Sequence, residues 1–135
     1  MVIDKGVNNR GENQRLIELL RKAVKDAARD ESLQDIKNHP RVAPWWRAYA
    51  DFGTDPNKFY CSIESLARRV HRADQLPYIN TLVAVFNCFS LKYMVPSGGD
   101  DPDLVDGDLR LTLAKGDESF VPLGMDTVET PCQAR

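Results

Sequence analysis

Two asparagines lie in the most apolar run of this chain, and residues that interrupt a helix follow them. Asn80 and Asn87 belong to the run 76–87, and Pro96 with the pair Gly98–Gly99 closes the segment. A buried side-chain amide needs hydrogen-bond partners, because an unpaired polar group inside a protein is costly. The pattern predicts a helix that forms a pocket wall, with the glycine pair as its floor. On residue chemistry alone, Asn87 is slightly better explained as a structural hydrogen-bonding group than as a pocket-lining one.

A basic cluster precedes this run. Arg68, Arg69 and Arg72 lie within five residues, and Arg68 and Arg72 share a helix face because they are four residues apart. Such a face could bind phosphates. The favoured alternative is a solvated basic face in which Glu64 pairs with Arg68, since charged helix faces are usually of this kind.

Metal and cofactor sites are poorly supported. The two histidines, His39 and His71, are far apart and no Cys-x-x-Cys occurs, so a zinc site is not expected. The aspartates of 100–108 lack the alternation of a calcium loop and are better explained as a solvated acidic turn. The sequence contains no phosphate-binding loop, dinucleotide fingerprint or nucleophile elbow. No cofactor is therefore expected.

Length, charge and cysteine content limit the classes of protein to which this chain can belong. The 135 residues suit one domain, and a net charge of −2 means that any contact with RNA must come from a local patch. Three widely spaced cysteines favour free thiols and a cytoplasmic location over a disulfide framework. The chain has no apolar signal core and no run long enough to span a bilayer, so we expect a soluble protein that does not enter the membrane.

Hydrophobic spacing predicts four helices that must position these residues. They span residues 12–29, 42–51, 63–72 and 79–93, with Ser62 as the N-cap of the third and Gly53 as the end of the second. The second helix carries Trp45 and Trp46, which are better explained by packing in a core helix than by base stacking. The fourth helix is almost wholly apolar, which predicts a central position.

Alternating residues predict strands. Residues 2–5 favour a short strand, and 108–114 alternate strictly before a turn at 115–117 and a second strand at 118–121. The last two strands would form a hairpin. Because an exposed two-stranded edge is a liability in solution, we expect a second copy of the chain or a missing C-terminal segment to complete the sheet.

These residues resemble the tRNA-editing domain (B-three/B-four type) in the beta chain of bacterial phenylalanyl-tRNA synthetase, and especially the free-standing proteins built from it. The resemblance covers about residues 2–124 and is strongest over 46–124. It rests on Trp46-Arg47-Ala48-Tyr49, Phe52-Gly53, Asp55-Pro56, Ser62-Ile63-Glu64-Ser65-Leu66, Arg68-Arg69, Ile79-Asn80, Asn87, Ser90-Leu91, Pro96, Gly98-Gly99, Gly107-Asp108, Phe120 and Pro122-Leu123-Gly124.

The resemblance implies an α+β fold in which helices pack on a mixed or antiparallel sheet. It implies that residues 1–135 are a single editing-like domain, about half of the family fold and incomplete at both ends. In the synthetase the domain hydrolyses tyrosine wrongly attached to phenylalanine tRNA without a metal, through a positioned water that attacks the ester. The implied substrate-binding residues are Asn80, Asn87, Gly98 and Gly99, and the implied RNA-binding residues are Arg68, Arg69 and Arg72.

The chain departs from the family pattern at two positions. The synthetase domain has a histidine eleven residues after its pocket asparagine; Asn87 matches that asparagine, and Gly98 occupies the histidine position. Ala84 stands where the family usually has an acidic residue.

Three functions remain open at this point. The first is an editing-type hydrolase that removes amino acids from mischarged tRNA, with tRNA and a small amino-acid moiety as partners. The second is a module that binds tRNA or an amino acid without turnover, and the third is a purely structural remnant. Deacylation separates the first from the others, and tRNA affinity separates the second from the third.

Overall fold

A computed structural model describes residues 11–72, 76–122 and 124–131. Four α-helices occur in these ranges: α1 (Gln14–Ala28), α2 (Ala43–Asp51), α3 (Ser62–His71) and α4 (Thr81–Tyr93). Short 3₁₀ turns lie at Glu31–Leu33, Ile36–Asn38 and Pro102–Leu104. The four predicted helices are confirmed, and no end differs from its predicted position by more than two residues.

Side-chain caps and left-handed residues set several of the helix ends. The Asn13 Oδ1 atom accepts the N–H of Leu16 at 3.1 Å at the start of α1. Gly53, with φ of 76°, follows α2 as predicted, because glycine adopts left-handed backbone without strain. Ser62 is not the N-cap of α3. The helix starts one residue earlier than predicted, and extended Cys61 holds the cap position without a side-chain hydrogen bond.

The core lies between α1, α3 and α4, with the two 3₁₀ turns after α1 closing one side. Helix α1 packs against α4 and α3, and α3 packs against α4. The buried core residues are Ala27, Leu33, Ile36, Val42, Cys61, Ile63, Ala67, Val70, Leu91 and Met94. On α3 the helically spaced residues Ile63, Ala67 and Val70 are buried, and Leu66 packs against the core.

Two predictions of burial are wrong in part. Helix α2 has no buried residue; Trp46 and Tyr49 pack against the core from its edge, and Trp45 is exposed. Helix α4 is apolar on all sides but buries only Ala84, Ser90 and Leu91, because α1 and α3 cover one side of it. Among the described residues, none of the helices has both the length and the apolar content to cross a bilayer.

The α+β prediction is wrong. The described residues form helices and no strand or sheet, and their one β-pairing is an antiparallel bridge between Phe120 and Glu129. Residues 108–113 are exposed and belong to no helix or strand, and Ala114 is half-buried. The Glu118 carboxylate instead accepts the backbone N–H groups of Lys115 and Gly116 at about 3 Å. A side chain that bonds to nearby backbone groups in this way competes with the backbone pairing of a hairpin. The predicted strand at 2–5 lies outside the described residues.

Candidate functional site

A cleft of about 260 Å³ opens between α3 and α4, in the region the sequence predicts for the pocket. Five of its seven lining residues carry a hydroxyl or amide group, although most of the surface that they present to the cleft is apolar: Ser62, Ser65, Leu66 and Arg69 from α3, Asn87 and Ser90 from α4, and Ser97 from the segment that follows α4. The helical spacing of 62, 65 and 69 and of 87 and 90 places each set on one face of its helix. The facing sides of two packed helices thus build a small cleft with a few polar groups.

A larger cleft of about 670 Å³ lies between α1 and the segment Leu76–Tyr78. Its floor is apolar and its rim carries Arg21 and Lys25. None of the residues that the sequence predicts for substrate or RNA lines this space. We take the smaller cleft as the candidate site despite its lower volume, because the predicted residues Asn87 and Arg69 line it.

A chain of hydroxyl groups fixes the wall of the small cleft. The Ser97 Oγ donates to the carbonyl oxygen of Phe86 at 3.1 Å, and the hydroxyls of Ser90 and Ser97 form a hydrogen bond. Since the Ser97 proton is directed to Phe86, Ser90 is the donor of that pair. Ser90 is buried, so this bond holds the 97–99 segment against α4.

Neither glycine of the predicted pocket floor lines the small cleft, and the two differ in their surroundings. A Cβ atom on Gly99 would lie 3.0 Å from Cζ of the Phe86 ring, a tight contact that a small shift of the ring would relieve. A Cβ atom on Gly98 would meet nothing within 4 Å, and Gly98 does not have left-handed backbone. Neither packing nor conformation therefore explains the glycine at position 98.

The two predicted pocket asparagines have separate roles. The Asn80 Oδ1 atom accepts the N–H of Val83 at 2.9 Å, which makes Asn80 the N-cap of α4. This position is about two helical turns before Asn87, and Asn80 does not line the cleft. Asn87 is half-buried and lines the cleft. Its side-chain amide forms no hydrogen bond with any other described residue. A fully buried structural amide would have such a partner, whereas the Asn87 amide is in reach of solvent. Its assignment to the pocket stays a prediction.

The three predicted RNA-binding arginines have different surroundings. The Glu64 Oε1 atom accepts the Nε–H of Arg68 at 2.9 Å and lies 2.7 Å from Nη2 in an ion pair. The guanidinium stacks 4.6 Å from the centre of the Tyr60 ring. The predicted Glu64–Arg68 pair is thus confirmed. Arg72 follows the end of α3. Arg69 is exposed at the cleft and forms no ion pair with a described residue.

A buried carboxylate joins α2 to α3, which the sequence did not predict. Glu64 is 1% exposed, and its Oε2 atom accepts the indole N–H of Trp46 at 2.8 Å. The Lys37 ammonium lies 4.3 Å from the centre of the Trp46 ring. The carboxylate therefore has a charged partner and a neutral one, which is what a buried charge needs.

The serines of the cleft are further residues that were not predicted from the sequence. Ser65 follows Ser62 by three residues, and Ser90 follows Asn87 by three, so each pair shares a helix face. That spacing was a usable signal, because hydroxyls placed beside a buried-face asparagine indicate a polar wall rather than a core. Ser97 gave no such signal, since its position depends on the turn after α4.

The cleft lining contains neutral hydroxyl and amide groups and one arginine, with no carboxylate or imidazole among its described residues. Burial raises the pKa of the Cys61 thiol, which precedes Ser62, and burial likewise raises the pKa of the Cys88 thiol beside Asn87. Both thiols are therefore poor nucleophiles at neutral pH. Groups of this kind can orient a water molecule and bind hydroxyls, but they do not remove a proton from it by themselves.

The described ranges contain no group of three or more His, Cys, Asp or Glu side chains arranged to hold a metal ion. Cofactor-free chemistry stays a prediction. Cys61 and Cys88 carry free thiols.

Comparison with known protein families identifies the region around this cleft. The model of the B3/4 domain family matches residues 44–133, about two thirds of the chain. The match includes α2, α3, α4 and every residue that lines the small cleft. No curated protein and no solved structure matches the chain.

Proposed function

The chain belongs to the B3/4 domain family, the domain found in the beta chain of phenylalanyl-tRNA synthetase, and from this membership we propose that it is an editing-type hydrolase of mischarged aminoacyl-tRNA. The family predicted from the sequence is confirmed. The observation that carries the proposal is the Asn87 amide, which has no hydrogen-bond partner among the described residues and lines a small cleft with several serines inside the matched region. A cleft of about 260 Å³ is below the usual range for drug-sized ligands and suits an amino-acid moiety.

The proposed reaction is hydrolysis of the ester between the amino acid and the terminal ribose of tRNA. Water attacks the ester carbonyl, the bond to the ribose oxygen breaks, and the products are a free amino acid and a tRNA hydroxyl. The water loses a proton as it attacks, and the ribose oxygen gains one as it leaves. The Asn87 amide can accept from the water or donate to the developing oxyanion, and the serine hydroxyls can hold the ribose hydroxyls. Positioning rather than a strong base supplies the rate in this scheme.

A second candidate function is binding without catalysis, because the cleft lining offers no general base among its described residues. Its described residues offer no carboxylate or imidazole as a general base, and Gly98 stands where the synthetase domain has histidine. A module that binds tRNA or an amino acid without turnover would need only the hydroxyl, amide and arginine groups. This alternative predicts affinity without deacylation.

The deciding experiment is deacylation of a panel of mischarged tRNAs, with correctly charged tRNA as the reference and tRNA affinity measured in parallel. Faster loss of the amino acid from at least one mischarged tRNA supports the hydrolase. Tight binding with no acceleration supports the binding module. Neither activity would contradict both. Because Cys61 and Cys88 are free thiols, we propose that the protein works in the reducing cytoplasm, where aminoacyl-tRNA is found.

Arg69 is the arginine that we expect to contact a tRNA phosphate, since Arg68 is already paired. Replacing Arg69 with alanine should weaken tRNA binding and reduce the slope of log affinity against log salt by about 0.7–0.9, because one fewer counterion is released. Filter binding at several salt concentrations measures this. Arg15→Ala, an exposed position on α1, is the matched control and should leave the slope unchanged. An unchanged slope for Arg69→Ala would assign Arg69 to the solvated surface.

Position 98 offers a gain-of-function test. Gly98→His should be tolerated, because a side chain there meets no atom within 4 Å, and it restores the residue type that the synthetase domain has. We expect faster deacylation, by about tenfold or more if the imidazole acts as a general base or orients the water. Gly99→His is the control: its Cβ atom would lie 3.0 Å from the Phe86 ring, so the ring must shift, and we expect no gain in rate. A stable Gly98→His variant with no change in deacylation rate would show that a histidine at this position does not act here as the resemblance to the synthetase domain implies.

A further inference from the structure

Two hydroxyl groups of the small cleft have their protons committed to the protein. The Ser97 hydroxyl donates to the carbonyl oxygen of Phe86, because a carbonyl has no proton to donate. The hydrogen bond between Ser90 and Ser97 therefore uses the proton of Ser90. Each of the two oxygens keeps a free lone pair, but neither keeps a free proton. A ligand group bound to this pair must therefore donate hydrogen bonds rather than accept them.

The cleft also has an inner and an outer end. Ser90 is 4% exposed, whereas Ser62, Ser65 and Arg69 are exposed. Arg69 is the cation of the described lining and forms no ion pair with a described residue. The lining thus offers a positive charge at its outer end and hydrogen-bond acceptors at its inner end.

The end of an aminoacyl-tRNA carries its groups in a matching order. A phosphate is followed by the ribose, the ester, and the α-carbon with its amino group. When the phosphate lies at Arg69, as proposed above, the amino group comes to the inner end beside Ser90 and Ser97. An amino group has two N–H donors when it is neutral and three when it is protonated, so it serves both serine oxygens at once.

We propose that the Oγ atoms of Ser90 and Ser97 accept hydrogen bonds from the α-amino group of the amino acid, and that the cleft thereby selects substrates whose amino group is free. An N-acylated amino acid has only one N–H, and it brings a carbonyl oxygen toward two oxygens that cannot donate to it. That carbonyl loses its hydrogen bonds to water without a replacement, which is costly. This inference takes the identity of the substrate from the proposed function.

The ribose hydroxyl beside the ester is the other donor near this place in the substrate. It has one proton, which satisfies only one of the two serine oxygens. The side chains of Ser62 and Ser65 form no hydrogen bond with a described residue, so their hydroxyls are free to bind the ribose at the outer end. The amino group therefore fits the inner pair better than the ribose does.

Isothermal titration calorimetry with analogues of the substrate end tests the proposal without any need for turnover. The probe is an adenosine 5′-phosphate that carries alanine on a 3′ amide, which replaces the ester and resists hydrolysis. Its N-acetyl derivative should bind about 100-fold more weakly, because hydrogen bonds from a charged donor are lost. A derivative without the 2′ hydroxyl should bind less than about tenfold more weakly, since only one neutral hydrogen bond is lost.

The variant Ser90→Ala tests whether the amino group binds at the serine pair. It removes one acceptor, while Ser97 keeps its bond to Phe86 and the segment after α4 stays anchored. Affinity for the free-amine probe should fall by about tenfold, and affinity for the N-acetyl probe should not change. An equal loss for both probes would indicate a general loosening of the cleft and would overturn the assignment. Ser119→Ala, an exposed serine outside the described lining, is the matched control and should leave both affinities unchanged.

Equal affinity for the free-amine and N-acetyl probes would overturn the proposal, and so would a failure of both probes to bind. A greater loss from the missing 2′ hydroxyl than from N-acetylation would assign the serine pair to the ribose instead. These results do not depend on deacylation. A preference for the free amine together with no hydrolysis of mischarged tRNA would support this inference and contradict the hydrolase.

Discussion

Replacing Glu64 with alanine should lower the free energy of unfolding by about 3 kcal/mol, a large share of the stability of a chain this size. The carboxylate is 1% exposed and accepts hydrogen bonds from both Trp46 and Arg68. Its removal leaves a half-buried indole N–H without an acceptor and opens a space between α2 and α3. The loss is smaller than for a wholly buried ion pair, because the Arg68 side chain is 36% exposed and water can solvate it.

Urea denaturation followed by far-UV circular dichroism measures this loss. Glu64→Gln keeps the volume and an acceptor for Trp46, so it should retain part of the stability. Asp26→Ala removes an exposed i, i+4 pair with Lys22 and should not move the midpoint measurably. A midpoint for Glu64→Ala equal to that of the native chain would show that the carboxylate does not hold α2 on α3.

The helices could be predicted from the sequence because the signals that specify them are local. In α3, Ile63, Ala67 and Val70 repeat at the helical period, and the same period that predicts the helix also predicts its buried face. The apolar content of α4 was a weaker guide. It predicted burial on all sides, but a helix is buried only where other elements cover it, and the Val85–Tyr93 face has no cover in the described ranges.

The sheet could not be predicted correctly, because a strand depends on a partner that its own sequence does not specify. Alternation from Leu109 to Leu113 indicates which face of an extended segment is apolar, and nothing more. Glu118 folds back on the turn and Phe120 pairs with Glu129 instead of with the first strand. Both outcomes arise from competition between hydrogen-bond acceptors that lie close together in the sequence.

The candidate site could be predicted only in part, for a related reason. Asn87 and Arg69 meet at one cleft, as the predicted pocket and basic cluster would suggest. Ser97 reaches that cleft because Met94 adopts left-handed backbone, with φ of 52°, at the end of α4. The Trp46–Glu64 bond joins residues 18 positions apart. Such contacts depend on how helices pack, which periodicity does not encode.

Replacing Asn87 with aspartate should reduce deacylation by about 100-fold while leaving the fold intact. The substitution keeps the size of the side chain but removes the N–H donor, and it adds negative charge where the ester oxygen becomes negative. The loss of one preorganised donor from an oxyanion site is of this magnitude in hydrolytic enzymes. If the chain binds without turnover, the same change should weaken ligand binding by about tenfold, since one hydrogen bond is lost.

Stability separates this role of Asn87 from a structural one. The amide is half-buried and has no hydrogen-bond partner among the described residues, so a carboxylate in its place can remain hydrated. We expect the melting temperature to fall by less than about 4 °C, which corresponds to roughly 1 kcal/mol for a domain of this size. Gln34→Glu, an exposed amide-to-carboxylate change far from the cleft, is the control for charge and should alter neither quantity. A structural amide would give the opposite result, with a loss of several kcal/mol in the free energy of unfolding as an unpaired carboxylate is buried. Early melting of Asn87→Asp would therefore remove Asn87 from the pocket, and native stability with native activity would remove it from the reaction.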